Sequence, residues 1–131
     1  MGCNALASSV AITLSDQGHA VYVLDPDPES FGLLPAGKVE AKEIVPITGD
    51  GTLQQVQLKA AGPDADVFMA LSDSDTKNAL AAMVATSIFA VPTVVSRIDD
   101  PILQNMYNGL GIQAIGATVI VTEMAVKAAA E

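Results

Sequence analysis

Backbone amides that could receive a phosphate, and a carboxylate that could hold a ribose, are encoded in the first 25 residues, MGCNALASSVAITLSDQGHAVYVLD. Gly2, Asn4 and Ala7 occupy the three small-residue positions of a G-x-G-x-x-G/A turn that opens a helix. In such units the amides at the helix start bind phosphate, and an acid some 20 residues later accepts hydrogen bonds from ribose hydroxyls. Asp25, which closes the apolar strand 20–24, stands in the place of that acid. The segment therefore predicts a nucleotide site.

Two features of this segment limit the ligand. Asn4 replaces the second glycine; it can reach φ > 0, but its side chain occupies space that a phosphate would need. A 2′-phosphate would face the carboxylates of Asp25, Asp27 and Glu29, so an NADP-type ligand is disfavoured. A plain packing turn followed by an acid at the end of a strand would explain the same residues, and this alternative stays open.

Further polar groups follow the later predicted strands at their carboxyl ends, where open α/β sheets place ligands. In the string GDGT, Asp50 is expected to cap helix 53–61, with Gly49 or Gly51 supplying a turn at φ > 0; a contact to a base or ribose is the functional alternative. Asp75 is the expected N-cap of helix 76–89.

Strands and helices alternate along the chain with short connections, which predicts a Rossmann-like three-layer α/β domain with a parallel sheet. Pro46 indicates that strand 43–48 is an edge strand, and residues 38–42 are expected to form a charged loop. Only Met1 precedes the glycine turn, where the central strand of such a sheet is expected. We therefore expect the order 3-2-(1)-4-5-6, with the place of strand 1 empty or filled from outside this chain.

Composition excludes several classes of partner. The 131 residues carry a net charge of −9, which argues against nucleic acid and against electrostatic binding to anionic lipid. No apolar run approaches the roughly 20 residues that span a bilayer, so no direct membrane insertion is expected. Cys3, the only cysteine, is expected to be a small residue that fits the turn, as suits a reducing cytoplasm. The last helix, 117–131, is apolar on most sides and predicts a partner.

Several strings together resemble the nucleotide-binding lobe of Trk/Ktr-type potassium-uptake regulators, the RCK-N or TrkA-N domains. They occur in family order and cover nearly the whole chain: GHAVYVLDPDPESF, ITGDGT, ADVFMALSDSDTKN, VPTVVSRIDDP and LGIQAIG. The resemblance implies a single regulatory Rossmann domain, residues 1–131, that binds NAD(H) or ATP/ADP. It also implies a cytoplasmic homodimer or higher ring, with 117–131 as the dimerisation or crossover helix, bound to the inner face of the membrane through a potassium transporter or channel subunit.

The resemblance transfers a set of nucleotide-site residues to this chain. It matches Gly2 with the first glycine, Asp25 with the ribose acid, Asp50 with a residue near the adenine, and Arg97 with the arginine of the family's fifth strand. Ser72, Asp75 and Asn78 match a T-x-x-D-x-x-N run beside the nucleotide. The full expected set is Gly2, Cys3, Asn4, Asp25, Pro26, Asp50, Gly51, Ser72, Asp75, Asn78 and Arg97.

This chain also departs from the family pattern. Ala5 stands where many members place an arginine that contacts phosphate, and Val119 where some ATP-binding members place an acid that helps to hold a divalent cation. No metal site is expected, and residues 1–131 do not extend into the C-terminal lobe of full-length members. Two alternatives to a nucleotide-binding regulator therefore remain: a dimerisation module that has lost its nucleotide and, less favoured, an NAD-dependent oxidoreductase.

Overall fold

The computed structural model describes residues 1–131 as an α/β domain whose sheet is interrupted at its centre. The strands are β1 (Val21–Asp25), β2 (Ile44–Thr48), β3 (Val67–Ala70), β4 (Thr93–Arg97) and β5 (Gln113–Ile115). β1 pairs in parallel with β2, and β4 pairs in parallel with β3 and β5. No strand joins β1 to β3, so the order is β2-β1, a gap, then β3-β4-β5. The expected sheet order and its empty central place are confirmed.

Helices cover both faces of the sheet. They are α1 (Ala5–Asp16), α2 (Ala36–Glu40), α3 (Gln54–Ala60), α4 (Asp75–Ser87), α5 (Pro101–Asn108) and α6 (Ala117–Ala130), with a 3₁₀ helix at Pro28–Leu33. Parallel crossovers are right-handed. A helix that leads to a strand on one side of the preceding strand therefore covers the opposite face of the sheet from a helix that leads to a strand on the other side. This rule places α1 and α2 on one face and α3, α4 and α5 on the other, which gives the predicted three layers.

Two small apolar clusters lie on either side of the gap. On the β1–β2 side, Ile44 and Val23 are buried together with Cys3 and Ala11. On the other side, Ala82 and Ala85 of α4 pack against strand and loop residues, the most buried being Ile112. Small residues let α4 approach the sheet closely, as the Ala-rich composition indicates.

The buried face of α1 differs from the predicted one. The periodicity places Leu6, Val10 and Leu14 on the packed face, but the buried residues of α1 are Ala7, Ser8, Ala11 and Ser15. Leu6 is 43% exposed, and Val10 and Leu14 line the central gap instead of a filled core. Val10 and Leu14 are therefore directed at the space between β1 and β3.

Three local predictions are wrong. The predicted charged loop contains α2, because Pro35 fixes the backbone at the helix start and Lys38 Nζ binds Asp16 at 2.7 Å and Ser15 Oγ at 3.1 Å on α1. Asp50 does not cap α3, whose N-cap is Leu53 without a side-chain bond. Ser74, not Asp75, caps α4 by accepting from Lys77 N.

Helix α6 is almost free of the rest of the domain. None of its residues is buried, and Val121 and Met124 are 64% and 67% exposed. Its first turn is held by the Ala117 amide, which donates to Asp99 Oδ1 at 3.0 Å. None of the helices combines the length and the apolar character needed to cross a membrane.

Candidate functional site

The glycine turn lies at the carboxyl edge of the sheet and touches both halves of it. Gly2 has φ +89°, and a Cβ there would lie 2.9 Å from the Ser72 Cα. Its amide donates to Leu24 O at 2.8 Å. Only glycine combines this backbone conformation with so close an approach, so the first glycine of the motif is required by geometry.

Asp25 closes the turn from the end of β1. Its Oδ2 accepts from the Cys3 amide at 2.8 Å, and its Oδ1 accepts from the Asp27 amide at 2.8 Å and from Ser30 Oγ at 3.3 Å. A carboxylate offers about four acceptor positions, so one on Oδ2 remains for a ligand hydroxyl. The amide of Cys3 is no longer available to a phosphate.

Cys3 is part of the same turn and is buried. Its Sγ donates to Ser30 O at 3.3 Å. Burial raises the pKa of the Cys3 thiol, and the negative charge of Asp25 raises it further. The protonated, hydrogen-bonded thiol fits the structural role expected from the sequence.

The Asn4 side chain joins the start of α1 to the residue that follows β3. Asn4 has φ −121°, so the left-handed conformation that the sequence allowed is not adopted. Its Oδ1 caps α1 by accepting from Ala7 N at 2.8 Å, while its Nδ2 donates to Leu71 O at 2.9 Å. The amides of Ala5 and Leu6 have no protein acceptor, as expected in a first helical turn. Two helix-start amides thus remain free.

The GDGT loop packs against the turn. Asp50 is exposed, and its Oδ1 accepts from Thr52 N at 2.9 Å and Thr52 Oγ1 at 2.7 Å; these bonds lower the pKa of its carboxyl. Gly49 and Gly51 do not have positive φ, which contradicts the expected turn. A Cβ on Gly51 would overlap Met1 Cγ, and a Cβ on Gly49 would lie 2.8 Å from Val56 Cγ1. These glycines are needed for close packing.

Ser72 and Asn78 form a fully satisfied pair at the ends of β3 and β4. Asn78 is 0% exposed. Its Oδ1 accepts from Ser72 N at 2.9 Å and Ser72 Oγ at 2.6 Å, and its Nδ2 donates to Ser72 O at 2.8 Å and Arg97 O at 2.9 Å. This amide has no free group for a ligand, so it positions the neighbouring backbone.

The Arg97 side chain lies at the same edge of the sheet, between the carboxylates of Asp73 and Asp99. Its Nη1 donates to Asp73 Oδ1 and its Nη2 to Asp99 Oδ2, both at 3.3 Å, and its buried Nε has no acceptor. The Asp75 carboxylate accepts from the amides of Asp99 and Asp100 at 3.0–3.1 Å and ties the start of α4 to the end of β4. The only arginine is therefore already paired with carboxylates.

These contacts bring together most of the residues predicted for the site. Asp25 contacts Cys3, Asn4 reaches Asp73 at 3.4 Å, and Asp73 contacts Arg97. Pro26 is exposed directly after Asp25 and has no amide to donate. Asp73, Asp99 and Ser30 take part without having been singled out from the sequence; the first two belong to acidic runs at the strand ends, which is the available signal.

The chemistry available at this edge is that of carboxylates and backbone amides. The structure contains no group of three or more His, Cys, Asp or Glu side chains placed to hold a metal ion. A cavity of about 390 Å³ lies next to the edge, in the gap between β1 and β3, and its lining is mainly apolar. The candidate site itself is an open surface across the strand ends.

Comparison with known proteins identifies the family. The TrkA-N domain family model matches residues 1–121. A Trk system potassium uptake protein TrkA from Streptomyces coelicolor is 39% identical over 119 residues, which cover 91% of this chain and 51% of that protein. The chain thus spans about half the length of this relative. The NAD(P)-binding domain of an exopolyphosphatase-related protein from Archaeoglobus fulgidus has the same fold, with a TM-score of 0.77 at 15% identity over 96% of this chain and 91% of that one. The chain belongs to the TrkA-N domain family.

Proposed function

We propose that this chain is the nucleotide-sensing domain of a regulator that controls a membrane potassium transporter or channel. The adenosine part of NAD(H), ATP or ADP binds across the carboxyl edge, with the ribose on Asp25 and the base near Asp50. The observation that carries the proposal is the free acceptor position of Asp25 beside the unpaired amides of Ala5 and Leu6. Family membership and the potassium-uptake relative support the regulatory role.

The charges of the site favour nucleotides without a 2′-phosphate. Asp27 and Glu29 are both exposed beside Asp25, and Asp27 Oδ1 already accepts from Glu29 N at 3.0 Å. A 2′-phosphate placed here would meet negative charge with no cation to neutralise it. The pairing of Arg97 with two acids also leaves the diphosphate with backbone amides alone, so we propose weak binding.

Regulation fits the structure better than hydride transfer. His19 lies in the turn before β1, at the opposite end of that strand from Asp25. Tyr107 packs against the apolar cluster that contains Ile112. Neither can serve as an acid or base at the candidate site. The alternative of a dimerisation module without nucleotide is favoured by one observation, the Asn4 side chain that caps α1 at the phosphate position.

Replacing Asn4→Gly and Ala5→Arg together is expected to tighten NADH and ADP binding ten- to a hundredfold. The arginine adds a charge-assisted bond to phosphate worth roughly 1.5–3 kcal/mol, which is about ten- to a hundredfold in the dissociation constant, and the glycine removes the side chain that covers the Ala7 amide. Isothermal titration calorimetry of both chains with NADH, ADP and NADPH measures the change. The NADPH affinity should stay below that of NADH.

The matched control is Ser9→Arg, which adds the same charge at an exposed position one turn further along α1. It should leave the affinity for NADH within about twofold, because an arginine one turn further from the helix start makes no direct hydrogen bond to the phosphate and its exposed charge is partly screened. Equal tightening by Ser9→Arg would mean that net charge alone is responsible, and no change in the double variant would support the dimerisation module.

We also propose that the chain forms a homodimer, or a higher ring, through α6. Burying even ~400 Å² of its apolar surface contributes several kcal/mol before association costs are counted. Substituting Ile120→Lys and Met124→Lys, which share one face of the helix, is expected to shift the dimer to monomer at micromolar concentration. Sedimentation equilibrium measures this shift.

Thr122→Lys is the control for the α6 substitutions, because it adds a lysine on the opposite side of the same helix from Met124. This variant should remain dimeric. A wild-type chain that sediments as a monomer at micromolar concentration would refute the α6 interface.

A further inference from the structure

The carboxyl edge of the sheet carries many more acidic than basic side chains. Each helix that follows a strand begins at this edge and runs away from it. Four of the six basic residues lie elsewhere: Lys38 and Lys42 before β2, Lys59 at the end of α3 and Lys127 near the end of α6. The acids that end or follow the strands at this edge include Asp25, Asp27, Asp50, Asp73, Asp75 and Asp99. Only Lys77 and Arg97 oppose their negative charge.

Both of these basic side chains already have carboxylates beside them. Arg97 lies between two acids at N–O distances of 3.3 Å. Lys77 is exposed in the first turn of α4, and its charge acts on Asp50. Hydrogen bonds from Thr52 lower the pKa of the Asp50 carboxyl, and the positive charge of Lys77 contributes to the lowering. A phosphate at this edge therefore meets no basic side chain that lacks an acidic neighbour.

The Asp73 carboxylate joins Arg97 to the start of α1. Its Oδ1 accepts from Arg97 Nη1 at 3.3 Å and from Asn4 Nδ2 at 3.4 Å, and Asn4 is the N-cap of α1. The Asp73 side chain is 84% exposed, so nothing buries its charge. A negative charge thus lies beside the helix start whose free amides, those of Ala5 and Leu6, are proposed to bind phosphate.

The free amides at this helix start are enough for one phosphate. The positive end of the α1 dipole favours an anion there. The amides of Cys3 and Ala7 already have side-chain acceptors, so only those of Ala5 and Leu6 remain. A second or third phosphate extends beyond these amides and brings more negative charge towards Asp73. Because the same carboxylate occupies the only arginine, this repulsion is not compensated.

We propose that Asp73 restricts the nucleotide site to adenosine nucleotides with a single phosphate, so that AMP binds more tightly than ADP or ATP. The inference rests on the proposed function, since all three ligands use the same ribose contact to Asp25. Asp73 determines specificity in two ways: its charge repels a longer phosphate chain, and its bond to Arg97 keeps the guanidinium from that chain. The second phosphate of a dinucleotide meets the same acid, so NADH also binds more weakly than AMP.

Isothermal titration calorimetry of the chain with adenosine, AMP, ADP and ATP tests this order, in buffer with EDTA so that no divalent cation neutralises the phosphates. We expect AMP to bind at least about tenfold more tightly than ATP, with ADP between them. Adenosine should bind more weakly than AMP, because it lacks the phosphate that the Ala5 and Leu6 amides receive. Raising the NaCl concentration from about 50 mM to about 500 mM should reduce the difference between AMP and ATP, because salt screens the repulsion.

The variant Asp73→Asn removes the charge and keeps an oxygen for Asn4 and Arg97. It should tighten ATP binding about tenfold and leave adenosine binding within about twofold, so that the preference for AMP disappears. Asp66→Asn is the matched control, because it removes the same charge from an exposed acid just before β3, at the opposite end of that strand. This control should keep the order of the wild type. The wild-type order itself remains decisive if Asp73→Asn does not fold.

Different results overturn this inference and the proposed function. If AMP binds but ATP binds as tightly, or if Asp73→Asn leaves the ratio of the two affinities unchanged, Asp73 does not select the ligand and the nucleotide site stands. If none of the four compounds binds at millimolar concentration, the nucleotide-sensing function is refuted, and this inference is refuted with it.

Discussion

Replacing Asp25→Ala is expected to abolish measurable binding of NADH, ADP and ATP. The Asp25 carboxylate is the one group at the edge that both fixes the glycine turn, through Cys3 N, and keeps an acceptor position for a ribose hydroxyl. A hydrogen bond to a charged group contributes roughly 1.5–3 kcal/mol, so losing the ribose contact raises the dissociation constant about ten- to a hundredfold, and the loss of the bond to Cys3 N loosens the turn as well. Isothermal titration calorimetry at micromolar protein measures the loss.

Two controls separate the binding role of Asp25 from its structural role. Asp25→Asn keeps a side-chain oxygen for the amides of Cys3 or Asp27 but removes the charge, so it should retain the fold and still bind nucleotide poorly. Glu40→Ala removes one negative charge from an exposed position of α2 and should leave affinity unchanged. If Asp25→Ala has no effect and the Asn4→Gly, Ala5→Arg double variant also leaves affinity unchanged, the site is vestigial and the dimerisation module replaces the nucleotide sensor.

Replacing Asn78→Ala is expected to lower the free energy of unfolding by about 4 kcal/mol. The substitution leaves the Ser72 amide and carbonyl and the Arg97 carbonyl without their partners at a fully buried position. An unsatisfied buried polar group costs about 1–3 kcal/mol, and domains of this size have only 5–15 kcal/mol in total. Urea denaturation followed by circular dichroism measures the change.

Asn105→Ala is the matched control, since Asn105 is exposed within α5 and the same atoms are removed there. It should change stability by no more than about 0.5 kcal/mol. Asn78→Asp should destabilise at least as much as Asn78→Ala, because it keeps the acceptor for Ser72 N but places a carboxylate against the carbonyl oxygens of Ser72 and Arg97 at a fully buried position. A loss below about 1 kcal/mol in Asn78→Ala would show that water or neighbouring groups replace the amide.

The chain relies on few connections between its two half-sheets. At the carboxyl edge these are the backbone bonds of Met1 and Gly2 and the Asn4 bond to Leu71 O. Because Asn4 both caps α1 and joins the halves, the Asn4→Gly change that should improve nucleotide binding should also reduce stability. The nucleotide proposed to bind across the edge would restore part of the lost connection.

The amino-acid sequence alone determined the α/β class, the succession of strands and the carboxyl-edge position of the acids. These features follow from local causes: apolar runs of strand length, helix starts such as Asp100-Pro101, and a glycine turn before a periodic helix. The edge position of β2 followed as well, from Pro46. Family resemblance added the expected ligand, which the fold by itself does not fix.

Only the tertiary structure decided which polar groups remain free. Composition cannot show that all hydrogen bonds of Asn78 go to Ser72 and Arg97, or that Arg97 binds Asp73 as well as its neighbour Asp99. The pairs Asn78–Ser72, Asn78–Arg97 and Arg97–Asp73 lie 6, 19 and 24 residues apart in the chain. The predicted caps of α3 and α4 were wrong because each acid binds another partner. Asp50 accepts from Thr52, and Asp75 accepts from the amide of Asp99 beyond the end of β4. The packing around a side chain determines which of several possible hydrogen-bond partners it binds. That packing exists only after the strands have assembled.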